Sequence, residues 1–585
     1  MSEYGIKILN YSVGAIWGVS QGTRYAYDTT PAMLTNSLFL DYMKENGLKI
    51  YKGVSTRDII CIDFNYGSRS FKDEMKHLKE MAHKARQDYK LARSQGLQVQ
   101  INKAEKKKKA IQRLYRHAIE NEDKYTQKSA DELRIEYYEN GVDIKYPKYN
   151  KKTKQYDYEV IHYVMLYRTP GKAKKGSCMF IRKSLYKKAH SFLTMGIKIP
   201  KKNSPIVEIG AYQSLITSSI EGRVVIPPKD ILILKDVDSF CNTNILSIET
   251  DDAKHCMAIP KENYEVCNTI FDGQALIDES VFPSWADGYV LLRQHFFKAA
   301  AFCTKIQKYF RDYFGDDYET ATVTDMWGNQ HLAKDIKLIT TDNACKWIKF
   351  DGITYEYWSE KVGELSDHFG IVKTAHKSKM GDVQRMSYQM VNALSIDIMG
   401  DVLDNTKEYL QKLKNDDEVF FDYLRRNANF VNDYEVLLAL VEHNPEFVKS
   451  DYFRERRTRI IYNYLLDIKT GHIVQNGDNL VIVGNPYAML MHSVGEDPHS
   501  DPTFESEEEA MQCWTARFDD GEYLAEFRSP FNSCRNLGYL HNKYHPYWDK
   551  YFNLGKQIIA VNMLHTTFQS RNNGLTNWVS VQKCA

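Results

Sequence analysis

The spacing of hydrophobic residues changes several times along the 585-residue chain. In residues 71–136, apolar side chains such as Met75 and Leu78 recur every three or four positions, which predicts amphipathic helices. Gly96 interrupts this pattern and is the predicted break of a helical hairpin. Residues 385–450 show helical spacing again. We therefore predict one helical region near the N-terminus and another in the second half of the chain.

Short β-branched runs bounded by Gly, Pro, Asp or Asn fill two other stretches, residues 201–380 and the residues from Arg459 onward. Many short strands at close spacing are typical of barrels or sandwiches. The runs are "SPIVEIGAYQ", "GRVVIPPKDILILKDVD", "TNILSIET" and "DIKLITT" in the first stretch, and "RIIYNYLLDI", "NLVIVGN", "EYLAEFRS", "QIIAVNML" and "NWVSVQ" in the second. Because the two stretches flank a helical connector, they are consistent with two copies of one architecture.

Composition narrows the class of protein only slightly. The hydrophobic content of 43% supports several cores, and a net charge of +2 gives no overall basic signal. Ten cysteines without a Cys-x-x-Cys pair argue against a zinc ribbon and fit a reducing compartment. No apolar run approaches the ~18 residues of a membrane span, and the N-terminus does not resemble a signal peptide. We expect a cytoplasmic protein, with association with a virion as the alternative.

The first helical region is basic. From Phe71 to Tyr125 there are 15 Lys or Arg residues against 8 Asp or Glu residues. One interpretation is a solvated hairpin, and the other is a basic arm that follows a phosphate backbone. Aromatic residues are not interleaved with the charges as in a single-strand stacking platform, which favours the first interpretation. The candidate nucleic-acid-binding residues are Lys106, Lys107, Lys108, Lys109 and Arg113.

Three acidic segments are candidate metal sites, because Mg²⁺ prefers closely spaced carboxylates. "KDVDS" contains Asp236 and Asp238, and "FDDGEY" contains Asp519 and Asp520, but a turn before a strand explains the second pair. The segment at 492–509, "HSVGEDPHSDPTFESEEE", is interpreted as a solvated acidic loop, with the ligand set of a metal-dependent hydrolase as the alternative. Its candidate ligands are His492, Glu496, Asp497, His499 and Asp501.

Three segments follow one another in an order that we compare with a known family: "SLITSSIEGRVVIPPKDILILKDVDS", "TIFDGQALIDESVF" and "LLRQHFFKA". Together they resemble the cellular, RNA-interference-type RNA-dependent RNA polymerases and their phage relatives, a superfamily with two double-psi β-barrels. The positions that match are Ser218, Ser219, Val224–Pro228, Asp236, Val237, Asp272, Gly273, Ile277, Arg293, Lys298, Lys349 and Phe350, and, after the connector, Arg528, Ser529 and Pro530.

The match has departures. Arg293 and Lys298 keep the five-residue separation of the family, but both intervening glycines are replaced. Ala275 replaces the second Gly of the Asp-Gly motif, and Asp278 replaces its Ser. The resemblance covers roughly residues 205–585, and the residues before it match no family that we recognise.

The resemblance implies an α+β fold with two double-psi β-barrel units, the second of them incomplete. The implied domains are an N-terminal region at 1–205 that includes the hairpin at 71–136, a first barrel at 206–380, a helical connector at 381–455, and a second barrel at 456–585. Because the chain stops where the family approaches its metal-binding Asp loop, we expect an unpaired strand edge at the C-terminal end and the aspartates just after Ala585.

The function implied by the resemblance is that of a nucleic-acid-templated RNA polymerase, or an N-terminal fragment of one that is inactive alone. Lys298 and Lys349 would be catalytic, Arg293 and Arg528 would bind substrate, and Asp272 with Gly273 would form a structural motif. The expected cofactor is Mg²⁺, with no ligands in the chain itself. Expected partners are an RNA or DNA template, nucleoside triphosphates and a continuation or chain that supplies the Asp loop, but no membrane. The alternatives are a non-catalytic nucleic-acid-binding or virion-structural protein with a degenerate polymerase shell, and the metal-dependent hydrolase.

Overall fold

The fold is taken from a computed structural model of the whole chain. The structure describes residues 5–94, 98–150, 155–168, 176–197, 206–251, 255–381, 383–386, 391, 395–429, 432–505, 510–528, 536–565 and 578–583. The first of its two compact units comprises Met1–Glu221, Gln294–Phe296 and Tyr355–Leu365, and the second comprises Gly222–Arg293, Phe297–Thr354 and Ser366–Ala585. Helices and sheets occur in both units, so the predicted α+β class is confirmed. The boundaries of the four predicted domains stay predictions.

The first unit is built on one sheet with a hydrophobic core on each face. Its strands lie in the order β3-β4-β1-β5-β8-β7-β6, with β2 paired to β1. Buried residues of α2, α6 and α7 pack in one core, and those of α1 and α5 pack in the other. The elements are β1 (Gly5–Ser12), α1 (Val13–Ser20), β2 (Thr29–Thr35), α2 (Leu38–Glu45), β3 (Ile50–Tyr51), β4 (Ser55–Thr56), β5 (Ile59–Asp63), α3 (Phe71–Ser94), α4 (Gln98–Glu120), α5 (Ala130–Asn140), β6 (Val142–Asn150), β7 (Gln155–Tyr167), β8 (Ser177–Arg182), α6 (Lys183–Thr194) and α7 (Ile206–Thr217).

Helices α3 and α4 cover most of the region where the sequence predicts a hairpin, while Gly96 lies outside the described residues. Small or apolar buried residues repeat every seven positions on both helices, as on a two-helix seam. They are Leu78, Ala85 and Ala92 on α3, and Ala104, Ile111 and Ala118 on α4. Lys106–Lys109 and Arg113 are exposed, and Lys107 pairs with Asp88 at 3.0 Å. The structure thus places the basic side chains on the solvent face and leaves their role a prediction.

The second unit contains two large sheets. The first has the strand order β10-β18-β13-β15-β14-β19-β9. In chain order, the elements of this part are β9 (Gly222–Val225), β10 (Ile231–Leu234), β11 (Asp238–Thr250), β12 (Cys256–Thr269), β13 (Gln274–Asp278), β14 (Tyr289–Gln294), β15 (Phe297–Thr304), α8 (Ile306–Phe314), β16 (Thr322–Thr324), β17 (Gln330–Leu332), β18 (Leu338–Thr341), α9 (Tyr355–Gly363) and β19 (His368–Thr374). Strands β11 and β12 form a separate hairpin, as do β16 and β17, and α9 belongs to the first unit.

The second sheet follows the helical connector and has the order β20-β21-β25-β22-β24-β23-β26. The elements of this part are β20 (Val383–Arg385), α10 (Met399–Val402), α11 (Asp404–Asn415), α12 (Asp417–Asn427), α13 (Tyr434–His443), α14 (Asp451–Lys469), β21 (Val474–Gly484), α15 (Pro486–Ser493), β22 (Met511–Trp514), β23 (Tyr523–Phe527), β24 (Leu537–Asn542), α16 (Tyr547–Tyr551), β25 (Ile558–Val561) and β26 (Trp578–Lys583).

Six strands of each sheet follow the same path. Numbered by position in the chain, they are arranged first, fifth, second, fourth, third, sixth, both from β10 to β19 and from β21 to β26. The first and fifth strands are parallel, the fifth and second antiparallel, and the second and fourth parallel in both sheets. The third and sixth are antiparallel in both. The two β-regions are therefore two copies of one sheet topology.

The two copies share a single hydrophobic core, which includes Leu232 and Leu276 of the first and Leu480 and Ile559 of the second. A buried side chain also links them: the Gln274 amide donates to the Gly484 carbonyl at 2.9 Å and accepts from its N–H at 2.8 Å. Pairing of polar groups inside a shared core fixes how the copies face each other.

Three expectations from the sequence are wrong. "SPIVEIGAYQ" lies mostly in α7 and "RIIYNYLLDI" lies in α14, because a short apolar run does not distinguish a strand from a buried helix. In α14 the helix starts upstream, where the Ser450 hydroxyl accepts from the Phe453 N–H. The expected open edge is also absent from the described part of the second sheet, because β26 pairs with both β21 and β23 and closes a six-stranded ring.

Candidate functional site

A tight hairpin in the first sheet holds two of the predicted site residues. Strands β14 and β15 are separated only by His295 and Phe296, and Phe296 adopts a positive φ of 45°. Arg293 and Lys298 each lie one residue in from this connection. Both side chains are only partly exposed, although they carry charges. The short turn therefore fixes a guanidinium and an ammonium group close together at the end of one hairpin.

Lys346 is a third cation of this site, and the sequence analysis missed it. Phe297 forms an isolated antiparallel bridge with Cys345, which brings the segment that contains Lys346 against β15, and the charge of Lys346 acts on Lys298. The Lys346 ammonium donates to the Asn343 carbonyl, and the side chain is only partly exposed. The predicted residue Lys349 lies at the other end of the same 3₁₀ turn and is exposed.

Asp272 supplies the opposing charge. It lies with Gly273 in the turn before β13, where Gly273 has a φ of 70° that favours glycine. The Gly273 carbonyl accepts from the Ala300 N–H, which ties the turn to β15. The Asp272 carboxylate acts on both lysines and opposes the lowering of their pKa values. The predicted structural motif therefore lies beside the predicted cations.

The pKa values of all three cations are lowered, by burial and, for the two lysines, also by neighbouring positive charges. Burial, followed by the charges of Arg293 and Lys346, lowers the pKa of Lys298. Burial also lowers the pKa of Lys346, and the charge of Lys349 adds to this effect. For Arg293, burial lowers the pKa to about 10. Such shifts occur where burial, with or without neighbouring positive charges, disfavours the charged form.

Arg293 also has hydrogen-bonding groups with no acceptor. Its Nε and Nη1 atoms are buried and have no partner in the described part of the chain. A buried charged donor without a partner costs several kcal/mol of folding free energy, roughly, so it rarely persists without a reason. A planar fork of this kind matches the oxygens of a carboxylate or a phosphate. The site is therefore suited to an anion that carries several oxygens.

Asp236, a candidate in the Asp-x-Asp pair, has a different role. One carboxylate oxygen accepts from the Val237 and Phe271 N–H groups, and the other accepts from the Thr341 hydroxyl and the Asn343 amide. Burial raises the pKa of this carboxyl group, and the hydrogen bonds oppose the rise. With both oxygens engaged, Asp236 links two strands of the sheet.

The other carboxylate candidates are also engaged in local structure. Asp520 accepts from the Tyr544 N–H in a turn where Gly521 has a φ of 83°. Asp501 is buried and accepts from the Thr503 N–H and hydroxyl and from the Asn485 amide. Within the described ranges, no group of three His, Cys, Asp or Glu side chains is arranged to hold a metal ion.

Arg528, the predicted substrate-binding residue of the second copy, follows β23 and is 2% exposed. Its N–H donates to the Asn536 carbonyl at 3.0 Å, while Ser529 and Pro530 lie outside the described residues. The structure thus brings together Arg293, Lys298 and Asp272, adds Lys346, and places Arg528 in the other sheet. The roles of all these residues stay predictions.

No protein family model and no curated protein matches the sequence. Among solved structures, the chain is similar to the RNA dependent RNA polymerase QDE-1 from Thielavia terrestris, with 12% sequence identity and a TM-score of 0.42. The matched region covers 72% of this chain and 44% of that polymerase, so the chain spans less than half of its length. A similarity of this size assigns no role to any residue. No described helix is long and apolar enough to cross a membrane.

Proposed function

We propose that the cluster of Arg293, Lys298 and Lys346 binds the phosphates of a nucleoside triphosphate. The observation that carries the proposal is the pair of buried, unpartnered donors on Arg293, next to two lysines whose charges repel each other. A bound triphosphate accepts from these donors and neutralises the repulsion. Two carboxylates act on these cations, Asp272 and Asp342, and Asp342 is itself paired with Lys235. A surplus of positive charge is therefore left for this highly charged anion.

In this proposal the chain is the nucleotide-binding part of a nucleic-acid-templated RNA polymerase. Support comes from the order of the sequence motifs, which matches the two-barrel polymerases, and from the repeated six-stranded path. The two copies would be the two double-psi β-barrels. Lys298 and Lys346 would stabilise negative charge that grows on the transferring phosphates, with Lys349 acting at longer range. The proposed partners are the triphosphates and an RNA or DNA template.

Mg²⁺ is the cofactor that the resemblance implies, and the described residues do not fit a resident ion. Asp272 lies beside the cations, and Asp342 accepts from the Lys235 ammonium and the Asp236 N–H. Asp236 has no oxygen left for a ligand bond. We therefore assign Mg²⁺ no ligands among the described residues and restrict the mechanism to phosphate binding by the cations.

The first test measures binding of ATP and GTP to the full chain by titration calorimetry. Lys298→Met and Lys346→Met each remove a charge from the site and should weaken binding about tenfold or more. Lys349→Met should have a smaller effect, because Lys349 is exposed. Lys229→Met, another exposed lysine of the same unit, is the matched control. Equal affinities for wild type, Lys298→Met and Lys346→Met would refute the proposed site.

The second test addresses catalysis. Template-dependent incorporation of labelled nucleotides by the full chain, lost in Lys298→Met, would support the polymerase assignment. Nucleotide binding without incorporation on either RNA or DNA templates would instead favour the non-catalytic nucleic-acid-binding alternative. Hydrolysis that depends on added zinc or manganese and is lost in His492→Ala would favour the hydrolase alternative.

A further inference from the structure

A positively charged groove lies between the loop after β19 and helices α11 and α12, outside the proposed triphosphate site. The groove encloses about 510 Å³. Four basic side chains and two acidic ones line it, and one of the basic ones, Lys412, is paired at 2.6 Å with Glu408 outside the lining. The charged lining residues are Lys377, Lys412, Arg425, Arg426, Glu418 and Asp422, and we call this surface the connector groove.

One edge of the connector groove is held rigidly. The Ser378 N–H donates to the buried carboxylate of Asp478 at 3.2 Å, and its carbonyl accepts from Arg426 at 3.4 Å. The Ser378 hydroxyl donates to the Val383 carbonyl at 2.8 Å. Three bonds to different elements therefore fix the residue between two exposed lysines, Lys377 and Lys379. Holding the backbone at this point reduces the entropy lost when the lysines engage a ligand.

The opposite edge is formed by helices. Lys412 projects from α11, and Arg425 and Arg426 project from the last turn of α12. Asp422 accepts from the Arg426 Nε at 2.6 Å, which orients this guanidinium while its Nη1 donates to the Ser378 carbonyl. The floor between the edges is largely apolar, with Met380, Val383, Tyr409 and Val419. Cations thus line both sides of an open channel.

We propose that the connector groove binds the phosphodiester backbone of a nucleic-acid strand. The cations lie on two facing elements rather than around one point, which suits a linear polyanion better than a single small anion. This inference rests on the proposed function only in identifying the polymer as the template or product of the same protein. Phosphate contacts of this type position a strand without reading its sequence, so we expect no base preference.

The test measures binding of a fluorescent 20-nucleotide single-stranded RNA to the full chain at several salt concentrations. The variant Lys377→Gln, Lys379→Gln, Arg425→Gln removes three exposed charges. Lys377 and Arg425 line the groove, and Lys379 follows Ser378 on the same edge. Each lost phosphate contact lowers the slope of log affinity against log salt by about 0.7 on a single strand, so the slope should fall by about 2. Lys407→Gln removes an exposed lysine of α11 that does not line the groove, and this control should leave the slope unchanged.

The design separates this proposal from the triphosphate site. The triple variant should keep wild-type ATP affinity and thermal stability, while Lys298→Met should keep the RNA salt slope. If the chain binds no ATP but the triple variant still loses the slope, the proposed function fails and the groove stands. An unchanged slope in a folded triple variant would overturn the groove. So would displacement of RNA by polyglutamate at equal charge concentration, because an acidic protein would then be the better partner.

Discussion

The two copies of the sheet differ at one charged side chain each, Asp478 in the second copy and Arg293 in the first. In the second copy, Asp478 is 0% exposed, and its oxygens accept from the Ser378 and Asn479 N–H groups and from Arg517. In the first copy, Arg293 is partly exposed, and its buried Nε and Nη1 atoms have no partner among the described residues. A charge whose bonds are satisfied holds a structure together, whereas donors left unsatisfied are available to a ligand. One topology thus carries a structural centre in one copy and a candidate binding site in the other.

The copies also differ in how their sixth strand is used. Strand β26 pairs with β21 as well as with β23 and closes a ring, whereas β19 pairs with β14 and with the preceding strand β9. The pairing of the second copy is therefore completed by its own last strand, β26. In the first copy the sixth strand pairs instead with β9, which precedes the six repeated strands. This difference predicts where each copy is most sensitive.

The largest effect is expected for Val581→Asp in β26. Val581 is 0% exposed, so the variant places a carboxylate in the shared core and should reduce the free energy of unfolding by at least about 4 kcal/mol. Val225→Asp in β9 is the control, because Val225 is 49% exposed and should tolerate the charge. Urea denaturation of both variants measures the difference. Similar stabilities would show that β26 is not part of a closed, buried ring.

The second-largest loss of stability is expected when the Arg517–Asp478 ion pair of the second copy is broken. Arg517→Met leaves the Asp478 carboxylate buried with only backbone donors, and we expect a loss of about 3 kcal/mol. Burial already raises the pKa of Asp478, and Arg517 opposes the rise. The folded protein should therefore bind a proton at this site at a higher pH in the variant than in wild type. Denaturation at pH 7 and pH 5 tests this, and a loss as large at pH 5 as at pH 7 would argue against a buried carboxylate as the cause.

The sequence predicts the local elements better than their arrangement. The strands at 231–234, 338–341 and 558–561 follow from β-branched runs, and the helices α3 and α4 follow from their periodicity. The two runs that form most of α7 and part of α14 are predicted as strands, because their composition suits a strand and a buried helix equally. The order of strands in each sheet depends on long-range pairing, which periodicity does not contain.

The same limit explains which residues of the candidate site are predictable from the sequence. Arg293 and Lys298 follow from their separation in the family motif, but Lys346 does not. It joins them only because Cys345 bridges to Phe297 from a distant part of the chain. In "KWIKF" the sequence offers two lysines three residues apart, and only the burial of one side chain distinguishes Lys346 from Lys349. That the Nε and Nη1 donors of Arg293 have no partner among the described residues is likewise evident only from the three-dimensional structure.

If Arg293 is kept for a ligand, its removal should stabilise the first copy. Arg293→Met removes a partly exposed charge whose buried Nε and Nη1 atoms have no partner among the described residues, and we expect a gain of about 1–3 kcal/mol at pH 7 without nucleotide. ATP affinity should fall in the same variant. Because burial lowers the pKa of Arg293, the gain should shrink as pH rises towards 10 and the wild-type side chain loses its proton. A destabilised variant would mean that Arg293 has a structural partner.

The smallest expected effect is the pH dependence of ATP binding, and it tests the same comparison without changing a residue. The charged forms of Lys298, Lys346 and Arg293 bind phosphate, and burial lowers the pKa of each, that of Arg293 to about 10. The terminal phosphate stays ionised above pH ~6, so only the protein loses charge as pH rises. Affinity should therefore fall several-fold between pH 7 and pH 10.

Bound phosphate favours the charged forms, so binding at pH 9 should take up protons, measured by calorimetry in two buffers of different ionisation enthalpy. Lys346→Met should reduce this uptake. An affinity that stays constant to pH 10 with no proton uptake would mean that the cations are not at the phosphate, and the first copy would then differ from the second only in its stability.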